Sequence, residues 1–187
     1  MSGKLAPRIA ATAFALLFGA SISCGAENQK AKHSVAALGV VSAFGNGQPI
    51  QRVYTGDGAD ESPPLRWTAA PKSAKSIAII CFDPDAPRGT WYHWLLFNLS
   101  PKLTSLKGNV AKTDAVEDGG AQGINDFKHI GYNGPNPPPG AKHRYYYRVM
   151  ALDERLPVAP GADKEKIIAA LKEHIIAQGE TMGVYSH

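Results

Sequence analysis

From Ile77 to Phe82 the chain reads Ile-Ala-Ile-Ile-Cys-Phe, apolar at every position. A continuous apolar run this short reads as a strand buried on both faces. Trp91 to Leu99 is a second long apolar run and Tyr145 to Leu152 a third. One segment reads as a helix, Asp163 to about Gln178. Ile168, Leu171 and Ile175 recur there at i, i+3 and i+7, Ile167 widens the stripe, Asp163 stands as N-cap after Pro160-Gly161, and Gly179 supplies a stop. Met182 to Tyr185 reads as a last short strand. Asn46-Gly47, with Val40 to Phe44 on one side and Pro49-Ile50 and Val53 on the other, is a hairpin signal. Ser62-Pro63-Pro64-Leu65-Arg66-Trp67 reads as an edge strand or coil because of its prolines. Residues 101–130 form a long polar excursion, functional or holding small elements of its own. The expected class is mostly β with antiparallel pairing and one late helix.

The chain has 187 residues, 44% of them hydrophobic and 9% aromatic, enough for one packed domain. Residues 1–26 read as a signal peptide: Lys4 and Arg8, then the apolar Ile9 to Ile22, then Cys24-Gly25-Ala26 with small residues flanking a cleavage point. Cleavage after Ala26 is the favoured reading and a lipid anchor on Cys24 the alternative. The rest carries no apolar run of ~18 residues and is expected to be soluble after signal removal. Residues 27–37 read as a polar tether and 38–187 as the domain. The whole chain has 20 Lys and Arg against 16 Asp and Glu; removing Lys4 and Arg8 leaves 18 against 16, a net of +2. That near-neutral balance gives no case for nucleic-acid binding. Cys81 is then the one cysteine left, placed in an apolar strand as an inert core residue.

Two blocks carry the chemistry. Asp83-Pro84-Asp85-Ala86-Pro87 precedes His93-Trp94, and Gly131-Tyr132-Asn133-Gly134-Pro135-Asn136-Pro137-Pro138-Pro139-Gly140 precedes His143-Arg144-Tyr145. Side chains on one face of a strand recur every second residue. His143 and Tyr145 therefore share a side with Tyr147 and Val149. Asp83 shares one with Ile77, Ile79 and Cys81, and His93 with Leu95, Phe97 and Leu99. If these strand ends converge, Asp83, His93, His143 and Tyr145 meet at the mouth of one core. A carboxylate beside an imidazole orients it and favours the imidazolium, which with a phenol donates to an anionic oxygen. Backbone N–H groups of Gly134, Asn136 and Gly140 add donors, and the prolines hold the loop open. The set suits one phosphate-sized group.

Other readings stand beside this one. Asp-Pro-Asp is also a common turn, and a lone His at a strand start is commonly structural; His33, His129, His174 and His187 are read so. Asp83, Asp85, His93 and His143 have metal-ligand chemistry without a metal-site spacing. Ser62 lacks the Gly-flanked elbow of a hydrolase nucleophile. Asp83 and Asp85 lie too close on one turn to flank a glycosidic bond.

These residues resemble the phosphatidylethanolamine-binding protein family, in its bacterial Raf-kinase-inhibitor-like branch. The resemblance covers about Ala43 to Tyr185. It rests on Ser62-Pro63-Pro64-Leu65-x-Trp67, the Asp83-Pro84-Asp85-Ala86-Pro87 box with His93-Trp94, and Gly123-x-Asn125-Asp126-Phe127. Gly131-Tyr132-x-Gly134-Pro135, Pro138-x-Gly140-x-x-His143-Arg144-Tyr145 and Ala151-Leu152-Asp153 complete it. It implies an antiparallel β-sandwich of two sheets with flanking helices. It also implies an anion site for phosphate or a phospholipid headgroup at Asp83, His93, His143 and Tyr145, with the Gly134-Pro135 loop beside it. The chain departs from many bacterial members in having Asn136 where they have Cys, and no Cys in Tyr54-Thr55-Gly56-Asp57-Gly58.

The chain is thus expected to be an exported, periplasmic or secreted, non-enzymatic binding protein. It takes a small phosphorylated ligand or phospholipid headgroup and uses no cofactor and no metal. The alternative is an inhibitor or interaction protein acting on an exported hydrolase or another protein partner.

Overall fold

The computed structural model describes Met1 and residues 35–117 and 119–187. The rest of the expected signal segment, the Cys24 and Ala26 positions and His33 lie outside the described residues. The all-apolar run becomes β4, Ser76–Asp83, at the centre of the larger sheet. Its neighbours are the other two long apolar runs, β5 (Trp91–Leu99) and β8 (His143–Leu152), both antiparallel to it. β9 (Ile175–Tyr185) pairs antiparallel with β8, and the short β1 (Ala36–Ala37) lies parallel to β9. β7 (Ala121–Gln122) closes the other edge, so the order is β1-β9-β8-β4-β5-β7. A second sheet has three strands in the order β2 (Val40–Ser42), β3 (Leu65–Trp67) and β6 (Ser105–Leu106).

Burial of both faces of β4 explains why no position between Ser76 and Asp83 is polar. Ile77, Ile79 and Cys81 face one core with Trp94, Tyr147 and Val149, closed by Leu65 and Trp67 of the smaller sheet. Ala78 and Ile80 face a second core with Leu95, Phe97 and Met150, closed by Ile167 and Leu171 of the helix α1 (Lys164–Lys172). The molecule is therefore a two-sheet sandwich with a helix packed on the outer face of its larger sheet.

Several local expectations give way to tertiary pairing. The helix ends at Lys172, and residues 175–178, expected to be helical, begin the longest strand. Ile167 and Leu171 are the buried helical positions, whereas Ile175 pairs with Leu152 in the β8–β9 ladder. Gly179 is no helix stop. It lies inside β9, where a Cβ would come within 1.8 Å of the Leu38 carbonyl oxygen, so the chain leaving β1 can cross only over a glycine. Met182–Tyr185 is the end of that eleven-residue strand.

The turn at Asn46-Gly47 forms, with Gln48 N donating to Gly45 O at 2.9 Å and Gly47 at φ 78°. Its flanks do not pair with each other: β2 pairs with β3, and Ile50 N donates to Val184 O of β9 at 2.9 Å. Leu65–Trp67 is the middle strand of its sheet, neither edge nor coil, because the prolines precede the ladder and remove no N–H from it. The segment read as a tether ends in β1. The 101–130 excursion holds β6 and β7 and is pinned by buried Gln122. Its side chain accepts from Trp94 Nε1 at 2.6 Å and donates to the Ala111 and Thr113 carbonyls.

Candidate functional site

The Asp-Pro-Asp box continues β4 into a turn whose two carboxylates bind two consecutive residues at the start of β8. Asp83 Oδ1 accepts the Asp85 N–H at 2.8 Å, the side-chain-to-backbone bond that makes this a turn. Asp83 Oδ2 accepts from His143 Nδ1 at 2.7 Å, with the two side chains only 4% and 8% exposed. Asp85 accepts a fork from Arg144, Nε to Oδ2 at 2.9 Å and Nη2 to Oδ1 at 2.6 Å, and the Arg144 N–H as well. The Arg144 guanidinium pulls the Asp85 carboxyl down to about 2. Asp85 is thus a clamp of turn to strand, and Asp83 holds the imidazole.

His93 reaches the same place by a route that strand alternation does not foresee. Alternation sets it on the side of Leu95 and Phe97, which face the second core, away from Asp83. In the β4–β5 ladder Cys81 pairs with Trp94 but Phe82 with Tyr92, so His93 is one extra residue on β5. A bulge of this kind re-aims a side chain, and it turns His93 to the Asp83 side. A second shift in the ladder falls where Asn98 sits at φ 62°. Leu99 is thereby switched into the first core and does not share a face with Phe97.

His93 Nδ1 lies 2.7 Å from the Asn133 carbonyl, to which it donates, leaving Nε2 as its free ring nitrogen. Burial holds this imidazole below the usual histidine range; the Asn133 carbonyl and the Asp83 charge oppose the shift without reversing it. Neutral His93 therefore presents an acceptor. Its ring meets Tyr145 edge-on at 5.3 Å and Phe127 at 5.2 Å. Tyr145 is buried, and burial first, then the Asp83 charge, raises its phenol well above the usual value. Its hydroxyl has no hydrogen-bond partner among the described residues, so it stays protonated and free to donate.

Asp83, His93, His143 and Tyr145 line one cavity of about 270 Å³. Pro137, Pro138 and Asn136 of the second block form part of its wall, Trp91 and Phe127 another, and Pro87 and Arg88 its rim. Gly134 and Pro135 do not line it. The Gly134 N–H is spent on Asp60 Oδ1 at 2.6 Å, and a Cβ there would lie 2.4 Å from the Tyr54 carbonyl oxygen. The Pro135 carbonyl accepts from Gly56 N at 2.8 Å. Both residues are packing positions, because the backbone of the 54–60 loop runs directly against them. Gly140, at φ 80°, is likewise absent from the lining.

Asp60 belongs to none of the sequence motifs. It sits at φ 55° and also accepts from Lys112 at 2.6 Å and Asn133 Nδ2 at 3.1 Å, so it fixes the peptide that orients His93. Asn125 completes that support, donating to the Gly131 carbonyl and to Asn133 Oδ1. Trp91 was within reach of sequence reasoning, since it stands two residues before His93, and Phe127 closes the Gly123-x-Asn125-Asp126-Phe127 motif; Arg88 carried no comparable signal. Ser62 is used structurally, its Oγ accepting the Val110 N–H at 2.9 Å. Among the described residues no group of three or more His, Cys, Asp or Glu side chains is placed to hold a metal ion.

A family profile described as phosphatidylethanolamine-binding protein matches residues 40–186. A protein of Methanothermobacter thermautotrophicus, named only as a UPF0098 protein, is 45% identical over 143 residues, covering 76% of this chain and 94% of its own. The crystal structure of a putative phosphatidylethanolamine-binding protein homologue from Chlamydia trachomatis is similar, with a TM-score of 0.72 and 39% identity over 81% of this chain and 98% of that one. That of E. coli YbcL, described as a new member of the mammalian family, is similar too, with a TM-score of 0.74 and 30% identity over 80% of this chain and 98% of that one. With the sandwich, the Asp-Pro-Asp turn and the Gly-x-x-His-Arg-Tyr strand all in place, this chain belongs to the phosphatidylethanolamine-binding protein family.

Proposed function

We propose that the protein is an exported, non-enzymatic binding protein whose cavity takes one phosphate-sized anion, free or as a phosphorylated headgroup. The carrying observation is the buried Asp83–His143 pair beside the unpartnered Tyr145 hydroxyl in one cavity. Asp83 occupies His143 Nδ1 and leaves Nε2 for the ligand; the Tyr145 hydroxyl donates beside it. The His93 acceptor suits a protonated phosphate oxygen or an ammonium. The Trp91 and Phe127 rings and the prolines exclude water from one side, which strengthens each polar contact. The apolar wall and the description of the Chlamydia homologue support including a lipid headgroup among the ligands.

Calorimetry with inorganic phosphate and with phosphoethanolamine tests the reading. His143→Ala and Tyr145→Phe should each weaken binding by removing one donor, worth roughly 0.5–3 kcal/mol. Steady hydrolysis of a phosphoester panel by the purified protein would instead make it an enzyme.

A further inference from the structure

The charges around the cavity do not by themselves attract an anion. Asp83 carries a negative charge, and a protonated His143 at most cancels it across their 2.7 Å contact. Burial keeps His93 and Tyr145 neutral. Asp85 is matched by Arg144. The inner wall is therefore net neutral at best, a poor place for a dianion.

One further cation stands at the rim. Arg88 is the one Lys or Arg lining the cavity among the described residues, and no ion pair or side-chain hydrogen bond there engages it. Its placement is built in. Ala86 to Gly89 forms a turn closed by Gly89 N donating to Ala86 O at 3.0 Å, with Pro87 at its first central position and Gly89 at φ 96°. Pro87 restricts the backbone before Arg88, and Gly89 accepts the backbone angle that returns the chain to β5. The two turns after β4 thus hold Asp83 inside and Arg88 at the entrance.

Resting on the anion reading above, we infer that Arg88 is the specificity-determining residue of the site and makes it select phosphomonoester dianions over phosphodiesters. A monoester carries about −1.5 to −2 at pH 7 and three equivalent acceptor oxygens. A guanidinium binds two of them as a fork. A diester carries one charge and offers fewer oxygens to the rim once its inner oxygens are bound by His143 and Tyr145.

The test is calorimetry on the purified chain and on Arg88→Gln and Arg88→Lys, with phosphoethanolamine as monoester, glycerophosphoethanolamine as diester and inorganic phosphate. The unsubstituted protein should prefer the monoester. Arg88→Gln should lose about tenfold for the monoester and for phosphate, and clearly less for the diester, so that the preference collapses. Arg88→Lys should keep the charge but lose the fork, and so retain only part of the preference. Arg88 is exposed, so an unchanged melting temperature would separate loss of binding from loss of fold. Binding with the same monoester-to-diester ratio in Arg88→Gln would overturn this inference alone. Binding of none of the three probes by the unsubstituted protein would overturn the anion reading and this inference with it.

Discussion

Asp83→Asn probes the site most directly, because this carboxylate performs two tasks with its two oxygens. One accepts the Asp85 N–H at 2.8 Å, and the other accepts His143 Nδ1–H at 2.7 Å. An asparagine carbonyl can keep the first bond. Its NH₂ then faces Nδ1–H, donor against donor, and the clash is relieved when the imidazole moves its proton to Nε2. The variant thus exchanges a charge-assisted bond, worth about 1.5–3 kcal/mol, for a neutral one of about 0.5–1.5 kcal/mol. With the side chains 4% and 8% exposed, screening takes little from the difference. The expected loss of stability is about 1–1.5 kcal/mol, read as a shift of the urea midpoint at constant slope. Phosphate binding should fall roughly tenfold, because the carboxylate that fixes the His143 ring is gone while an Nε2–H donor remains. Nitrogen chemical shifts of the His143 ring should report the exchange of tautomer. If Asp83→Asn and His143→Ala both bind phosphate as tightly as the parent, the cavity is not the anion site. If the ring keeps its Nδ1 proton in Asp83→Asn, the reasoning about the bond itself is wrong.

Stability should decline with acid in two stages. His93 is held below its unfolded value of about 6.5, so the unfolded state takes up its proton first and stability drops as pH falls through that value. Asp85 titrates at about 2 in the folded chain against 3.8 unfolded, so its contribution is complete above pH 4 and is lost as pH falls from there toward 2. The Asp85 share is about 1 kcal/mol once solvent screening of a partly exposed pair is allowed for, and urea titrations of Asp85→Asn should lack that second decline. Cys81 is fully buried, and burial pushes its thiol far above the reactive range; thiol reagents should label it only on unfolding, and Cys81→Ser should cost about 1–3 kcal/mol. The exported form should begin at Glu27 by intact mass; a full-length mass would end the export proposal, and a diacylglycerol adduct on Cys24 would replace it with a lipid anchor.

How far the site could be read from residues alone depended on how local its causes were. β8 is regular from His143 to Val149, so alternation alone sets His143 and Tyr145 on one face. β4 stays in phase from Ile77 to Asp83, and Asp83 falls on the same side. For His93 alternation pointed to the wrong core, because a bulge is produced by the mismatch of two paired strands and leaves no mark on either one. Gly134 looked like a ligand donor since glycine N–H groups often are; Asp60, some seventy residues earlier, had already taken it.

The same division runs through the fold. Three long apolar runs, one short amphipathic helix and turns rich in Pro and Gly were enough to specify buried strands and a mostly β class, because period-2 burial and backbone restrictions act within a few residues. Which strands pair was decided elsewhere. The Asn46-Gly47 turn formed without joining its flanks, since their backbone groups pair instead with β3 and β9. Ile175 left the helix because β8 needed a neighbour along its whole length. Competition for backbone partners and shared core is settled only when the whole chain is assembled. That competition, acting on β5, brings His93 to the cavity.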